Sequence, residues 1–375
     1  MTGLYLHIPF CRSKCAYCDF PSWAGREALA SRVVDAMLAE AALWAQERGR
    51  LRLDTVFIGG GTPTAIDVGH LERLLGGLRS LFDIQPIEFT VEANPGTVDV
   101  AGLRRLRTLG ADRLSFGVQA AQDALLRRIG RIHSWEDFLR GVEMARNAGF
   151  ENLNADMMTG LPGQTEADAR ETARRLAALG LPHVSCYGLK LEEGTPLYRS
   201  VQEGSTTLPE DDAERDQFHA ARAVLEEAGL WRYEISNFAK PGFECRHNLI
   251  YWHNGDYLGL GCGAASHFGS HRRENEGDLD AYIAACENDQ WPPSQRHTIG
   301  ADEAAFETAM LALRLREGLD LTAFTARHGV DLLRQKESTV RSLRMLGLIQ
   351  VEGGRLRLTE RGMDVQNAVL LELLE

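Results

Sequence analysis

The sequence predicts an α/β fold: a parallel sheet, either doubly wound or curved like part of a β/α barrel, followed by a small C-terminal α+β unit of winged-helix-like character. Three observations carry this. Short β-rich runs alternate with amphipathic stretches through the first two hundred residues, one strand to roughly every 30 residues, as in successive βαβ units. Cysteine, glycine and acidic residues gather where those strands end. From about residue 301 the pattern changes to amphipathic helices around a single Gly-Gly hairpin.

Strands are expected at Gly3–Ile8, Thr55–Ile58, Ile87–Val91, Arg113–Phe116, Asn152–Ala155 and Pro182–Tyr187. Amphipathic helices are expected between them, at Glu27–Glu47, Asp67–Leu81, Val100–Leu109, Ser134–Ala148 and Thr165–Ala178. Gly110 stands where the third of these should stop. Strands and helices in this alternation read as a parallel sheet. A helix at Pro209–Ala228 and a strand at Arg232–Ile235 follow, then a stretch from Pro241 to Gly269 rich in Gly, His and aromatic residues. The last part predicts helices Ala301–Leu315 and Asp331–Leu346, a hairpin from Leu348–Val351 through Gly353 and Gly354 to Leu356–Leu358, and a helix Asp364–Leu374. The expected organisation is therefore 1–235, a linking region 236–300, and 301–375.

With 375 residues, 44% hydrophobic and 25% charged, the chain has ample material for a core, which excludes disorder and a disulfide-stapled miniprotein. The net charge of −12 argues against a broad nucleic-acid surface and against electrostatic docking on an anionic membrane. The C-terminal unit mixes both charge signs, so packing or regulation is its expected role. No apolar run is long enough to span a bilayer. The N-terminal residues lack the basic and apolar regions of a signal peptide, and the expected location is the cytoplasm.

Seven cysteines occur, an odd number. Cys186, Cys245, Cys262 and Cys286 are scattered and read as buried free thiols. Cys11, Cys15 and Cys18 form a C-x3-C-x2-C run, and three thiols so close in a reducing compartment hold metal more readily than they pair. Zinc would need a remote fourth ligand such as His7, since structural zinc sites usually take two separated pairs. A four-iron cluster on three cysteines leaves one iron open and is the reading the chemistry favours. Phe10, Tyr17, Phe20 and Trp23 would shield it.

In parallel α/β folds ligands bind at the ends of strands. The cysteine run follows the first strand, Gly59-Gly60-Gly61-Thr62-Pro63 the second, Glu92 ends the third, Gly117-Val118-Gln119 follow the fourth and Asp156 ends the fifth. The triple glycine fits neither a dinucleotide fingerprint nor a P-loop. It reads as a tight turn or a close backbone approach to a ligand. Arg131 can pair with a carboxylate, although alone it reads as a surface charge.

These residues resemble a known signature. Tyr5-Leu-His-Ile-Pro-Phe-Cys11-x3-Cys15-x-Tyr17-Cys18 is similar to that of radical S-adenosylmethionine (SAM) enzymes. More narrowly it resembles the branch that holds oxygen-independent coproporphyrinogen oxidase and its haem-chaperone relatives. The similarity runs through Gly59–Thr64, Phe116–Gln119, Asp156–Gln164 and Glu193–Pro196 to His247-Asn248-x-x-Tyr251-Trp252, nearly the whole chain. It implies a partial (β/α)6 barrel, a 4Fe–4S cluster on Cys11, Cys15 and Cys18, and SAM chelating the open iron. It also implies SAM contacts from Tyr5, Tyr17, Gly60, Gly61, Thr62, Glu92, Gln119, Arg131 and Asp156. The implied chemistry is reductive cleavage of the sulfonium bond, with an electron donor as partner. The oxidase carries a further cysteine where this chain has Phe20, and an extension ahead of the signature where this sequence has four residues before Tyr5. Both departures point to the haem-chaperone relatives, in which the His-Asn-x-x-Tyr-Trp motif is associated with haem. His247 is then the expected axial ligand, with Cys245 a rival, His253, His267 and His271 nearby, and Tyr251 and Trp252 against the porphyrin face. The implied partners are haem and haem-acceptor proteins, including respiratory enzymes at a membrane. An active radical SAM enzyme, modifying a porphyrin or transferring a methyl group, is the second reading, and a non-catalytic zinc protein the third.

Overall fold

The computed structural model describes residues 1–374. Strand β1 (Gly3–Ile8) buries Leu4, Leu6 and Ile8 completely on one side and turns Tyr5 and His7 to the other. The alternation recurs in β2 (Arg52–Gly60), β3 (Asp83–Ala93), β4 (Arg113–Gln119), β5 (Asn152–Thr159) and β6 (His183–Gly188). Val56, Ile58, Phe89, Val91, Leu114, Phe116, Leu153 and Ala155 join the apolar core. On the other face Arg113, Ser115, Asn154 and His183 bond to one another's neighbours across the strands. A doubly wound sheet is apolar on both faces because helices cover both. Here only one face is apolar, so the sheet curves into a partial β/α barrel with a polar hollow.

All five pairings from β1 to β6 are parallel and in sequence order. The convex side is covered by α1 (Ala30–Arg48), α2 (Val68–Leu81), α3 (Val100–Thr108), α5 (Trp135–Asn147) and α6 (Glu166–Ala178), with the short α4 (Asp123–Arg128) set beside them. Their starts are written in the sequence. Asp67, Asp99, Ser134 and Thr165 are N-caps whose side chains accept backbone N–H bonds, the last two in reciprocal capping boxes with Asp137 and Asp168. The strands run longer than the apolar segments that announce them: β2 extends three residues before Thr55 and two beyond Ile58. Hydrogen bonding to two neighbours continues where hydrophobicity has already stopped.

After β6 come α7 (Pro196–Gln202) and α8 (Asp211–Glu227), which lies along α6. The strand expected at Arg232–Ile235 is instead the end of β7 (Trp231–Arg232) and a turn into β8 (Asn237–Ala239), which pairs antiparallel with β6. The chain then crosses the concave face as helix α9 (Arg246–Trp252) and adds β9 (Tyr257–Leu260) parallel to β1 on the opposite edge. Strands β10 (Ala265–Phe268), β11 (His271–Asn275) and β12 (Ser294–Thr298) extend that edge antiparallel, with α10 (Leu279–Cys286) between the last two. Residues 236–300, expected to link two units, thus complete both edges of one sheet.

The C-terminal unit has its own apolar cluster and a three-stranded sheet. It comprises α11 (Ala301–Ala312), β13 (Leu319–Asp320), α12 (Leu321–His328), α13 (Leu332–Gln335), α14 (Glu337–Met345), β14 (Ile349–Glu352), β15 (Arg355–Leu358), α15 (Glu360–Asp364) and α16 (Gln366–Leu374). Gly353 and Gly354 both take positive φ in the two-residue hairpin turn. The single helix expected over Asp331–Leu346 breaks at Lys336, which brings Leu332, Val340 and Leu343 into the same core. Among the described residues no helix is long and apolar enough to cross a membrane.

Candidate functional site

The cysteine loop leaves β1 and is fastened at several points. Cys11 N–H donates to Trp23 carbonyl and Trp23 N–H to Pro9 carbonyl, pinning the two ends together at 3.1 and 2.9 Å. Its middle is tied by Ala16 N–H to Ile129 carbonyl and by Leu197 N–H to Ala16 carbonyl, so α4 and α7 hold it from the far side. The turn after β2 lies directly on the loop: Gly61 N–H bonds Ile8 carbonyl and Thr62 N–H bonds Phe10 carbonyl. A Cβ on residue 61 would stand 2.5 Å from the Phe10 oxygen, and Gly60 has φ +107°. The glycines therefore make a tight turn that packs against the chain's own cysteine loop, the first of the two readings their sequence left open.

At the C-terminal ends of the strands a cleft of about 390 Å³ opens. Cys11, Cys15, Cys18, Tyr17, Gly60, Gly61, Thr62, Glu92, Gln119, Arg131 and Asp156 all line it. Residues that the sequence reading did not single out share the wall: Asn94, Ser115, Met158 and Tyr187. Their signal was present as period two, since Ser115 and Asp156 share a face with Gly117 and Met158 one step further along. Tyr187 O–H donates to Asp156 at 2.8 Å, and Asn154 Nδ2 donates to the same carboxylate at 2.6 Å.

Buried carboxyl and thiol groups meet in the cleft. Burial, reinforced by Asp156, pushes the Glu92 carboxyl up to about 8, although Gly60 N–H donates to it at 3.2 Å. Burial likewise pushes the Cys18 thiol up to about 11, with Cys15 and Cys11 adding repulsion. A cation on either group would relieve this cost. Arg131 donates to Cys15 Sγ at 3.3 Å, to Asn94 Oδ1 at 2.7 Å and to the Gly117 carbonyl. Gln119 is held at φ +67°, unusual for a residue with a side chain, and its buried Oε1 has no partner among the described residues. The Arg131 Nε is in the same condition.

The three thiols fit an iron–sulfur cluster. They line one wall, and side-chain donors are aimed at two of the sulfurs, Thr62 at Cys11 and Arg131 at Cys15. Among the described residues no three Cys, His, Asp or Glu side chains converge on a single-ion centre. His7, the candidate fourth ligand for zinc, is committed elsewhere, bonding Tyr5 O–H at 3.0 Å and Pro21 carbonyl at 2.8 Å.

Two expected site residues lie away from the cleft. Tyr5 sits one layer down in the hollow, its hydroxyl against His7. His247, expected to present its imidazole to an axial position, is on α9 at the N-terminal ends of the strands and is 1% exposed. Its Nδ1 bonds Thr55 Oγ1 and its Nε2 bonds Tyr251 O–H, each at 2.7 Å. Both ring nitrogens are engaged, one as donor and one as acceptor, and burial pushes the imidazole down to about 3. As seated, it offers nothing to an iron. Cys245 is also buried, its Sγ against Glu88, whose carboxylate accepts the N–H groups of Arg246 and His247 and so caps α9.

Residues 5–176 match the family model of the radical SAM superfamily, and residues 299–365 that of the HemN C-terminal domain. The chain is 35% identical to the protein named heme chaperone HemW of Bacillus subtilis (strain 168), over 98% of both chains. The chain belongs to the HemW family. The Escherichia coli (strain K12) HemW is 40% identical over 70% of this chain and 69% of its own. Among solved structures, coproporphyrinogen III oxidase HemN of E. coli, described as a radical SAM enzyme, superposes with TM-score 0.85 at 24% identity, covering 99% of this chain and 89% of that one. This chain and HemN therefore share one fold. At the mouth of the cleft Phe20 is 59% exposed, two residues beyond Cys18.

Proposed function

We propose that this member of the HemW family is a haem chaperone that holds a 4Fe–4S cluster on Cys11, Cys15 and Cys18, binds SAM in the adjoining cleft, and binds haem for delivery to acceptor proteins. Respiratory enzymes at a membrane are the proposed acceptors, and an electron donor serves the cluster. The observation that carries the reading is the convergence of eleven of the expected residues on one cleft. The names of the HemW relatives support its haem half.

When bound, the cluster supplies an electron-transfer centre and an open iron for the amino and carboxylate groups of SAM. The chain's own residues do the rest. Glu92 and Asp156 present acceptors to a cationic ligand, and Gln119 Oε1 offers an acceptor to a hydroxyl or amino group. The Gly60-Gly61 backbone lets a ligand approach closely. Phe20 puts an apolar ring, not a thiol, at the mouth, where the oxidase's extra cysteine would stand. For His247 to reach a haem iron, α9 would have to leave the concave face and give up its bonds to Thr55 and Glu88, or the ring would have to release Tyr251 of the same helix.

The test is an anaerobic haem titration of cluster-reconstituted protein, comparing wild type with His247→Ala. A saturable Soret shift in the wild type is expected, and its absence overturns the carrier reading. Consumption of SAM with a defined porphyrin or methyl-acceptor substrate, without haem binding, would establish the enzyme instead.

A further inference from the structure

Asn94 follows β3 and was not among the expected ligand-binding residues, yet it stands at the centre of the cysteine wall. Its Oδ1 accepts from Arg131 at 2.7 Å, and its Nδ2 donates to Thr62 Oγ1 at 2.6 Å. Arg131 has only donors, so the amide can face it only through oxygen, which fixes the amide's orientation. Thr62 Oγ1, accepting from Asn94, turns its own proton to Cys11 Sγ at 3.6 Å. Arg131 reaches Cys15 Sγ at 3.3 Å. One amide thus connects a donor on Cys11 with a donor on Cys15. The backbone of Asn94 is fixed as well. Pro95 restricts it to extended geometry, and its carbonyl accepts from Thr97 N–H at 3.1 Å and Thr97 Oγ1 at 2.6 Å.

We propose that Asn94 is a positioning residue for the iron–sulfur centre, aiming Thr62 at Cys11 and Arg131 at Cys15 and thereby raising the centre's reduction potential. The inference rests on the reading that these cysteines hold a cluster. Reduction adds negative charge that spreads onto the cysteine sulfurs. Donors already pointed at those sulfurs stabilise the reduced state more than the oxidised one. The belt is built from residues that hold one another rather than from solvent, so the donors cost little reorganisation when the electron arrives.

The experiment uses full-length, anaerobically reconstituted protein without SAM, and measures iron and sulfide content, thermal stability and the cluster's midpoint potential. Asn94→Ala and Thr62→Val are expected to keep the cluster and shift its potential to more negative values. Thr62→Ser, which retains the hydroxyl, is expected to stay at the wild-type value. The Asn94→Ala/Thr62→Val double variant should shift less than the sum of the two, because both act on the Cys11 bond. Intact clusters with unchanged potentials in both single variants overturn the proposal. Should Asn94→Ala lose the fold, the near-isosteric pair Thr62→Val and Thr62→Ser decides: equal potentials overturn it. A wild type that takes up no iron or sulfide overturns the cluster reading itself.

Discussion

Glu92 shows how a single side chain carries both stability and site chemistry. Its carboxyl is pushed from the ordinary 4.5 up to about 8 by burial and by Asp156. The folded chain therefore keeps a proton that the unfolded chain releases, so the contribution of Glu92 to stability is fully present at low pH and is lost as pH rises from about 4.5 to about 8. Glu92→Gln is expected to abolish that part of the decline, at up to about 1.4 kcal/mol per pH unit. Denaturant unfolding from pH 5 to 9 checks this, and parallel curves would contradict it. His247 has the opposite sign. Its imidazole is pushed from 6.5 down to about 3, so its contribution is present above 6.5 and lost as pH falls toward 3. His247→Ala strands the Thr55 and Tyr251 hydroxyls and leaves a void, costing about 2–4 kcal/mol. A lowered thermal midpoint, with the Soret titration unchanged in stoichiometry, is the expected result. Glu92 and Asp156 were legible because an acidic residue in a buried strand has few structural uses, although β5 runs three residues past Asp156, which was expected to end it. The place of His247 was not, because nothing in its neighbours along the chain announces Thr55 or Glu88 as partners.

At the scale of elements, the turn after β2 and the cysteine loop stand or fall together. Gly61→Ala sets a Cβ against the Phe10 carbonyl, a backbone atom that cannot swing aside. It is expected to cost about 1–3 kcal/mol and to lower iron retention after reconstitution. Gly76, inside α2 with open space around it, is the control: Gly76→Ala is expected to raise the thermal midpoint. Equal behaviour of the two variants would remove the close-approach argument. Helices α2, α3, α5 and α6 were legible to within a residue because the caps Asp67, Asp99, Ser134 and Thr165 mark their starts chemically, whereas α1 and α11 miss by three residues at one end and the short α4 and α7 were not anticipated. The elements of residues 236–300 were not. Strand β9 is four residues long and pairs with β1, more than two hundred residues away in the chain, and α9 is seven residues long. Segments that short carry too few repeats for a period to show.

Across the whole molecule, α9 is held from two sides, by the barrel's concave face and by the C-terminal unit. Asn254, just after the helix, donates to Thr308 at 3.0 Å, and Arg327 donates to the Asn254 carbonyl at 3.2 Å. Close by, Arg272 of β11 pairs with Glu307 of α11 through two bonds of 2.9 and 3.0 Å. Opening the concave face therefore means loosening the C-terminal unit. Thr308→Val removes one of these ties and is expected to speed amide hydrogen exchange in residues 246–254 while leaving the cysteine loop unchanged. Uniform exchange across both segments would contradict the clamp. The proposed carrier role bears on the molecule as a whole, and haem transfer tests it most directly. Haem-loaded protein is mixed anaerobically with the apo form of a haem-requiring respiratory enzyme, and the Soret bands of both are followed against a haem scavenger. The acceptor is expected to gain haem faster than the scavenger alone draws it from the carrier. Acceptor loading no faster than release to the scavenger would contradict it.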